Sequence, residues 1–280
     1  MDTFWLVIGV TMKNNKALGQ HWLNNRVILD EIADLARYGV ERGGDVAERD
    51  DSGKIGLCVE IGPGLGTLTS SLLRRFDEVV AIEYDKRLAD NLPKSFPGTN
   101  LRVINGDFLE TNFDFVKEDY VITGNIPYYI TSPIIRKVLT MERPARRVVL
   151  LVQKEVAERL VDKKETMLSL FVKNYTDVEL GPVVKKEEFT PPPKVDSQVV
   201  VLEPHPAVVR EEVFDLIKRG FVAPRKKLMH NLAGLVGKEK LLAVMGELGI
   251  SIDARPGDLG LEEWKVLDGK LGANSSKNKD

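Results

Sequence analysis

The chain has 280 residues, 43% of them hydrophobic, enough for one large domain or two unequal ones with a full core. Charged residues make up 29%, yet the formal net charge is only -2, so no global basicity advertises nucleic acid and any such surface must be local. The single cysteine, Cys58, excludes an internal disulfide and a cysteine-rich zinc site and points to a reducing, cytoplasmic compartment; three scattered histidines argue against a metal centre.

The apolar run Phe4–Val10 is too short to span a bilayer and lacks a basic start and a cleavage-like end. It reads as an N-terminal extension, with Met12 a candidate start. Lys13–Leu23 (KNNKALGQHWL) is a basic arm. Either it is a loop packing Trp22 and Leu23 on the core, or it covers a ligand and reaches RNA phosphate through Lys13 and Lys16. From Asn25, Val27, Ile28, Ile32, Leu35 and Ala36 recur at helical spacing, and Gly39 ends that helix. Glu41–Lys54 is polar and glycine-containing, a solvated loop with no evident chemistry.

Ile55–Ile61 (IGLCVEI) reads as a buried strand, followed by Gly62-Pro63-Gly64-Leu65-Gly66-Thr67 and a helix through Leu68, Leu72 and Leu73. Such a turn lets backbone approach a ligand and leaves free N–H groups at the helix start. A dinucleotide fingerprint wants G-x-G-x-x-G, but here the third glycine falls one residue early, which favours the nucleoside-binding turn of methyltransferases. Glu78–Glu83 is a second strand ending in an acid about twenty residues after the glycines, the place for a carboxylate that accepts ribose hydroxyls. Asp85 begins the next helix. Leu101–Asn105 is a third strand, and Asp107 just beyond it is a candidate acceptor for an adenine amino group. Each acid alone is commonly a solvated strand end or a helix cap. Three strands ending in glycine or acid on one rim form a binding edge, because open α/β sheets take ligands at the carboxyl ends of their strands.

Tyr120–Thr123 is the fourth strand and delivers Gly124–Pro133 (GNIPYYITSP), an amide, a proline and two aromatics suited to a planar amino-bearing base. A helix starts at Ser132-Pro133. Arg147–Val152 is a fifth strand and Gln153–Leu160 a short helix. Met167–Leu180 and Val195–Leu202 read as two further strands around the loop Lys185–Lys194 (KKEEFTPPPK). The alternation argues an α/β, doubly wound, mostly parallel sheet with an antiparallel edge. After the linker Glu203–Pro206 the pattern becomes helical, and Lys218, Arg219, Arg225, Lys226 and Lys227 concentrate positive charge there. Such a run is commonly a solvated face; beside a base-binding pocket it becomes a phosphate-contact candidate. The expected division is an extension and arm over 1–23, a main domain over 24–206, a helical domain over 207–272 and a disordered polar tail over 273–280.

The ordered set GQHWL, EIGPGLGTLT, AIEYD, NGDF, GNIPYY, FTPPPKVDS and FVAPRKKLMHNL strongly resembles the KsgA-type small-subunit rRNA adenine dimethyltransferases, from about Lys13 to about Trp264. The glycine turn is shared by many methyltransferases, whereas NIPY with FxPPPKVDS is specific. The resemblance implies a Rossmann-like class I S-adenosylmethionine-dependent methyltransferase sheet with a smaller all-helical C-terminal domain. It implies dimethylation of the amino groups of two adjacent adenosines near the 3′ end of small-subunit rRNA, by a monomer acting on a pre-ribosomal particle. S-adenosylmethionine contacts fall, by the same resemblance, to His21, Leu23, Gly62, Glu83, Asp107 and Asn125. The helical domain would bind rRNA. The chain departs from the family at Trp22, where phenylalanine is usual, in a longer 41–54 connection, and at Asp162–Met167 (DKKETM).

In this setting Asn125 and the Pro127 carbonyl would each accept an amino hydrogen, Tyr128 would stack on the flipped base, and Phe189 would take its other face. Tyr129 is assigned to packing. The competing readings are the large-subunit rRNA adenine methyltransferase that confers macrolide resistance, and an assembly factor for which catalysis is secondary.

Overall fold

A computed structural model describes residues 20–39, 56–117 and 119–272. Lys13, Lys16, the Phe4–Val10 run, the 41–54 loop and the 273–280 tail lie outside the described residues. The chain opens with β1 (Trp22–Leu23) and α1 (Arg26–Tyr38). Asn25 caps α1 through its side-chain oxygen, which accepts from the Val27 and Ile28 amides, and Leu29, Ile32, Ala33 and Ala36 form its buried stripe. Then follow β2 (Leu57–Ile61), α2 (Thr67–Leu72), β3 (Glu78–Glu83), α3 (Lys86–Ser95), β4 (Leu101–Asn105) and β5 (Tyr120–Asn125). A 3-10 turn over Tyr128–Ile130 leads into α4 (Thr131–Leu139), β6 (Arg147–Gln153) and α5 (Lys154–Val161).

The stretch expected as a strand over Met167–Leu180 is instead α6 (Met167–Tyr175) running directly into β7 (Thr176–Val184). Thr166 and Ser169 form a reciprocal capping box that starts α6. Its Leu170, Phe171 and Val172 are consecutive and all buried, so the segment shows no one-sided stripe from which a helix is read. The two-residue strand β8 (Phe189–Thr190) and β9 (Ser197–Pro204) come next, and then α7 (Glu211–Gly220), α8 (Leu228–Val236), α9 (Lys238–Glu247) and α10 (Leu261–Leu271).

Seven strands form one sheet in the order β4-β3-β2-β5-β6-β9-β7. β4, β3, β2, β5 and β6 run parallel, and β9 is antiparallel to β6. This is the expected doubly wound, mostly parallel sheet with an antiparallel edge. Its central strands are nearly continuous runs of buried Val, Ile and Leu, as a sheet covered on both faces requires. Separately, β1 pairs antiparallel with β8, setting Trp22 against Thr190 and Leu23 against Phe189. Leu23 and Phe189, both almost fully buried, join one core cluster with the α1 stripe, Leu68, Leu72, Val121 and Val149.

The chain divides into two compact units, 1–157 with 179–204 and 158–178 with 205–280. The second unit therefore takes in Glu158–Val178 as well as the residues beyond the linker, where a contiguous 24–206 main domain was expected. In that unit Phe171 meets Phe214 edge to face, and Trp264 on α10 is fully buried against the Phe221 ring. Four helices, α7 to α10, follow the linker among the described residues, in keeping with the helical pattern of the sequence there.

Candidate active site

Parallel strands put their carboxyl ends on one rim, and the β2, β3, β4 and β5 ends there enclose a cavity of about 310 Å³. His21, Leu23, Gly62, Glu83, Asp107, Asn125, Pro127 and Tyr128 all line it, so the expected cofactor and base contacts converge from five separate segments.

The glycine turn is shaped as much by packing as by ligand approach. Gly66 caps α2 at φ 83°, and a Cβ there would lie 2.7 Å from both Leu92 Cδ1 and Phe96 Cε2. The third glycine thus lets α2 and α3 approach. The amide of Gly64 donates to Glu83 Oε2 at 3.0 Å, and the amide of Asp85 to Oε1 at 2.8 Å. Both carboxylate oxygens are thereby aimed, and burial raises the Glu83 carboxyl above its usual range against the opposing backbone hydrogen bonds. Asn105 Nδ2 donates to the Glu83 carbonyl, tying the β4 end to the β3 end.

Glu60, an acid inside an otherwise apolar strand, also lines the cavity. An acid inside IGLCVEI is the signal that could have found it. It is 1% exposed and accepts from Thr69 Oγ1 at 2.6 Å. Burial pushes its carboxyl up to about 8; the Thr69 hydrogen bond opposes that rise and the Glu83 charge adds to it.

At the end of β5 a second glycine is required. A Cβ at Gly124 would stand 2.6 Å from the Ile61 carbonyl, so β5 can lie this close to β2 only without a side chain there. The next residue, Asn125, donates from Nδ2 to the His21 carbonyl at 2.8 Å. That bond settles which way the amide faces, and Oδ1 remains as its acceptor. The Pro127 carbonyl already accepts the Ile130 amide at 3.2 Å and keeps one lone pair.

Tyr128 is fastened at its tip: its hydroxyl and Ser197 Oγ lie 2.7 Å apart, and Ser197 is fully buried. The Tyr128 ring is parallel to His21, with centroids 6.1 Å apart and planes 19° apart. His21 in turn donates from Nδ1 to the Pro191 carbonyl at 2.8 Å. FTPPPKVDS therefore meets the site through Pro191 and Ser197.

Two expectations are corrected. Phe189 is 2% exposed and absent from the cavity wall, because opposite Leu23 in the β1–β8 pair it points into the core; it has no face for a base. Tyr129 is 64% exposed and lines the cavity, because the 3-10 turn swings it outward while Tyr128 is tied to Ser197.

The wall suits a nucleoside with hydrogen-bond donors for its carboxylates. Glu83 and Asp107 are acceptors at two strand ends, and the buried Trp22 indole N–H over Gly64 has no partner among the described residues. No cluster of potential metal ligands occurs among the described residues.

In the helical unit, Lys218 and Arg219 end α7, and Arg225, Lys226 and Lys227 precede α8, all exposed. Lys218 pairs with Asp215 and Lys227 with Asp253. Three cations before a helix N-terminus oppose its dipole, so helix stability does not explain them. Asn231 Nδ2 donates to the carbonyls of Gly220 and Ala223, which shapes the loop that presents them. No described helix is long and apolar enough to cross a membrane.

The family model for ribosomal RNA adenine dimethylase matches residues 11–266. A Dehalococcoides mccartyi protein named ribosomal RNA small subunit methyltransferase A is 37% identical over 272 residues, spanning 92% of this chain and 89% of that protein. A Bacillus cytotoxicus protein of the same name is 34% identical over 91% of this chain and 90% of its own length. Among solved structures, a dimethyladenosine transferase from Plasmodium falciparum matches with a TM-score of 0.70 at 28% identity, covering 89% of this chain and 98% of that one. The 23S rRNA methyltransferase ErmE also reaches 0.70, at 24% identity over 90% and 99%, a likeness of fold.

Proposed function

The chain belongs to the ribosomal RNA adenine dimethylase family, and on that premise we propose how its cavity works and on which RNA. It is an S-adenosylmethionine-dependent rRNA adenine dimethyltransferase, and its substrate is small-subunit rRNA in a pre-ribosomal particle. The observation that carries the chemistry is the Asn125 amide on the cavity wall, whose Nδ2 is held by the His21 carbonyl so that Oδ1 is left as its acceptor.

An adenine amino group is a poor nucleophile because its lone pair is delocalised into the ring. Asn125 Oδ1 and the free lone pair of the Pro127 carbonyl each accept one amino hydrogen, which favours a pyramidal nitrogen whose lone pair is localised for attack on the methyl group, and one amino proton passes to solvent after transfer. Bound S-adenosylmethionine supplies the electrophilic methyl group. Glu83 holds the ribose hydroxyls with the oxygens that Gly64 and Asp85 orient, and Asp107 meets the adenine. Tyr128 gives the flipped base a stacking face, worth roughly 1–3 kcal/mol for a base on an aromatic. Both acceptors are neutral groups prearranged by the fold, so positioning and electrostatics account for the catalysis.

The helical unit is the RNA-binding module in this reading, with Lys218, Arg219, Arg225, Lys226 and Lys227 on phosphates. The enzyme acts as a monomer in the cytoplasm. Two observations favour the small subunit over the large: relatives named for it exceed 30% identity along nearly the whole chain, and ErmE shares only the fold. Labelled S-adenosylmethionine offered with unmethylated small and large subunits, followed by nucleoside analysis, tests the proposal. Dimethyladenosine in small-subunit RNA is the expected product; label confined to the large subunit would refute it.

A further inference from the structure

The turn that follows β4 is held by a cation on a different element. Asp107 folds this turn locally: its carbonyl accepts the amides of Glu110 and Thr111, and its Oδ1 accepts the Leu109 amide at 2.8 Å. Lys137, in the last turn of α4, donates from Nζ to Leu109 O at 2.6 Å and to Thr111 O at 2.7 Å. Its ammonium also lies over the rings of Phe108 and Phe113, 5.6 and 5.9 Å from their centroids.

This is a costly place for a lysine. Lys137 is half-buried and forms no ion pair within 4 Å among the described residues; lost hydration lowers its pKa, and the charges of Glu110 and Asp107 oppose that fall. A cation at a helix C-terminus needs only solvent to complement the dipole. Here it is turned sideways onto two carbonyls and two aromatic faces, where charge-assisted hydrogen bonds and ring contacts offset the burial. The bridge joins two elements that each reach the site at one end. Asp107, Phe108 and Leu109 line the cavity on one side, and α4 grows directly out of the Tyr128–Ile130 turn on the other.

We propose that Lys137 is a positioning residue for the adenosine end of the cofactor, locking the Asp107 turn to the helix that carries the catalytic turn. The inference rests on the reading that Asp107 meets the adenine. Lys137 touches neither cofactor nor base; it acts through the backbone of residues 107–111.

The test is calorimetric titration of S-adenosylhomocysteine into wild type, Lys137→Met, Lys137→Arg, Asp107→Ala and the Met/Ala double variant, with amide hydrogen exchange over residues 106–113. Lys137→Met keeps the aliphatic stem and loses the charge, so its dissociation constant should rise about tenfold, the scale of a lost charged hydrogen bond. Exchange across 106–113 should accelerate, and KM for the methyl donor should rise by a larger factor than kcat falls. Lys137→Arg, which can reach the same carbonyls, should recover most of the affinity. Asp107→Ala should cost much less in the Lys137→Met background than in wild type. Unchanged S-adenosylhomocysteine affinity in folded Lys137→Met, with Asp107→Ala still weakened, would overturn the role of Lys137 alone. Strictly additive losses would do the same. Full affinity in Asp107→Ala would remove the reading of Asp107 itself, and the proposal with it.

Discussion

The Tyr128–Ser197 contact offers a sharp test of how the base is held. Two neutral hydroxyls 2.7 Å apart share one hydrogen bond, and Ser197 is fully buried at the start of β9. Ser197→Ala leaves the Tyr128 hydroxyl without its partner, and Tyr128→Phe leaves Ser197 Oγ buried and unpaired. Stranding a buried polar group costs about 1–3 kcal/mol, whereas removing both partners together can be nearly neutral. If that energy holds the Tyr128 ring in its stacking pose, each single change should lower kcat/KM on small subunits by roughly five- to 150-fold. The double variant should be no worse than the worse single, a coupling of about 1 kcal/mol or more. Steady-state methylation gives the four values, and calorimetry with S-adenosylhomocysteine should show cofactor affinity nearly unchanged throughout. Additive losses in the double variant would mean that the contact does not position the ring. A loss confined to cofactor affinity would place Tyr128 on the wrong ligand.

Three further outcomes follow from the geometry. Asn125→Ala removes both the acceptor and the bond to the His21 carbonyl; methyl transfer should fall by about 10²-fold or more, on the scale of a lost oriented group at a reacting centre, and near-wild-type turnover would take Asn125 out of the mechanism. Glu60, with its folded pKa pushed up to about 8 against 4.5 when free, keeps a proton that the unfolded chain releases. Its contribution to stability is full below about pH 4.5 and is lost as pH rises through 8, so thermal melts should fall more steeply over that range in wild type than in Glu60→Gln, and parallel curves would contradict the assignment. Reversing the charges at Arg225, Lys226 and Lys227 should weaken binding to small subunits and reduce the salt slope by up to about 2–3, and an unchanged slope would return those residues to solvent.

Local signals account for most of the sheet. β3 and β4 lie where apolar runs bounded by acid and glycine place them, over Glu78–Glu83 and Leu101–Asn105, because strand burial and turn chemistry act over a few residues. The first turn of α1 is equally local, since Asn25 needs only its own next amides. Met167–Leu180 fails the same test: its apolar residues run consecutively and favour neither period, and a capping box of Thr166 and Ser169 decides for helix.

The cavity wall was legible for a related reason: a parallel sheet sends every strand end to one rim, so Gly62, Glu83, Asp107 and Asn125 had to meet. What the chain order could not say is which way side chains face in elements too short to have a period. Phe189 sits in a two-residue strand whose partner, Leu23, lies far away in sequence, and that pairing sends it into the core. Tyr128 and Tyr129 are neighbours in one 3-10 turn. Only the hydroxyl of Ser197, 69 residues on, holds the first inward and leaves the second exposed. Lys137 has no sequence signal either, because its partners are backbone carbonyls, which every residue carries. The sequence by itself therefore determined most of the sheet and the rim on which Gly62, Glu83, Asp107 and Asn125 meet. Tertiary packing decided the faces of the aromatics and the braces behind them, because those depend on long-range partners that no local pattern encodes.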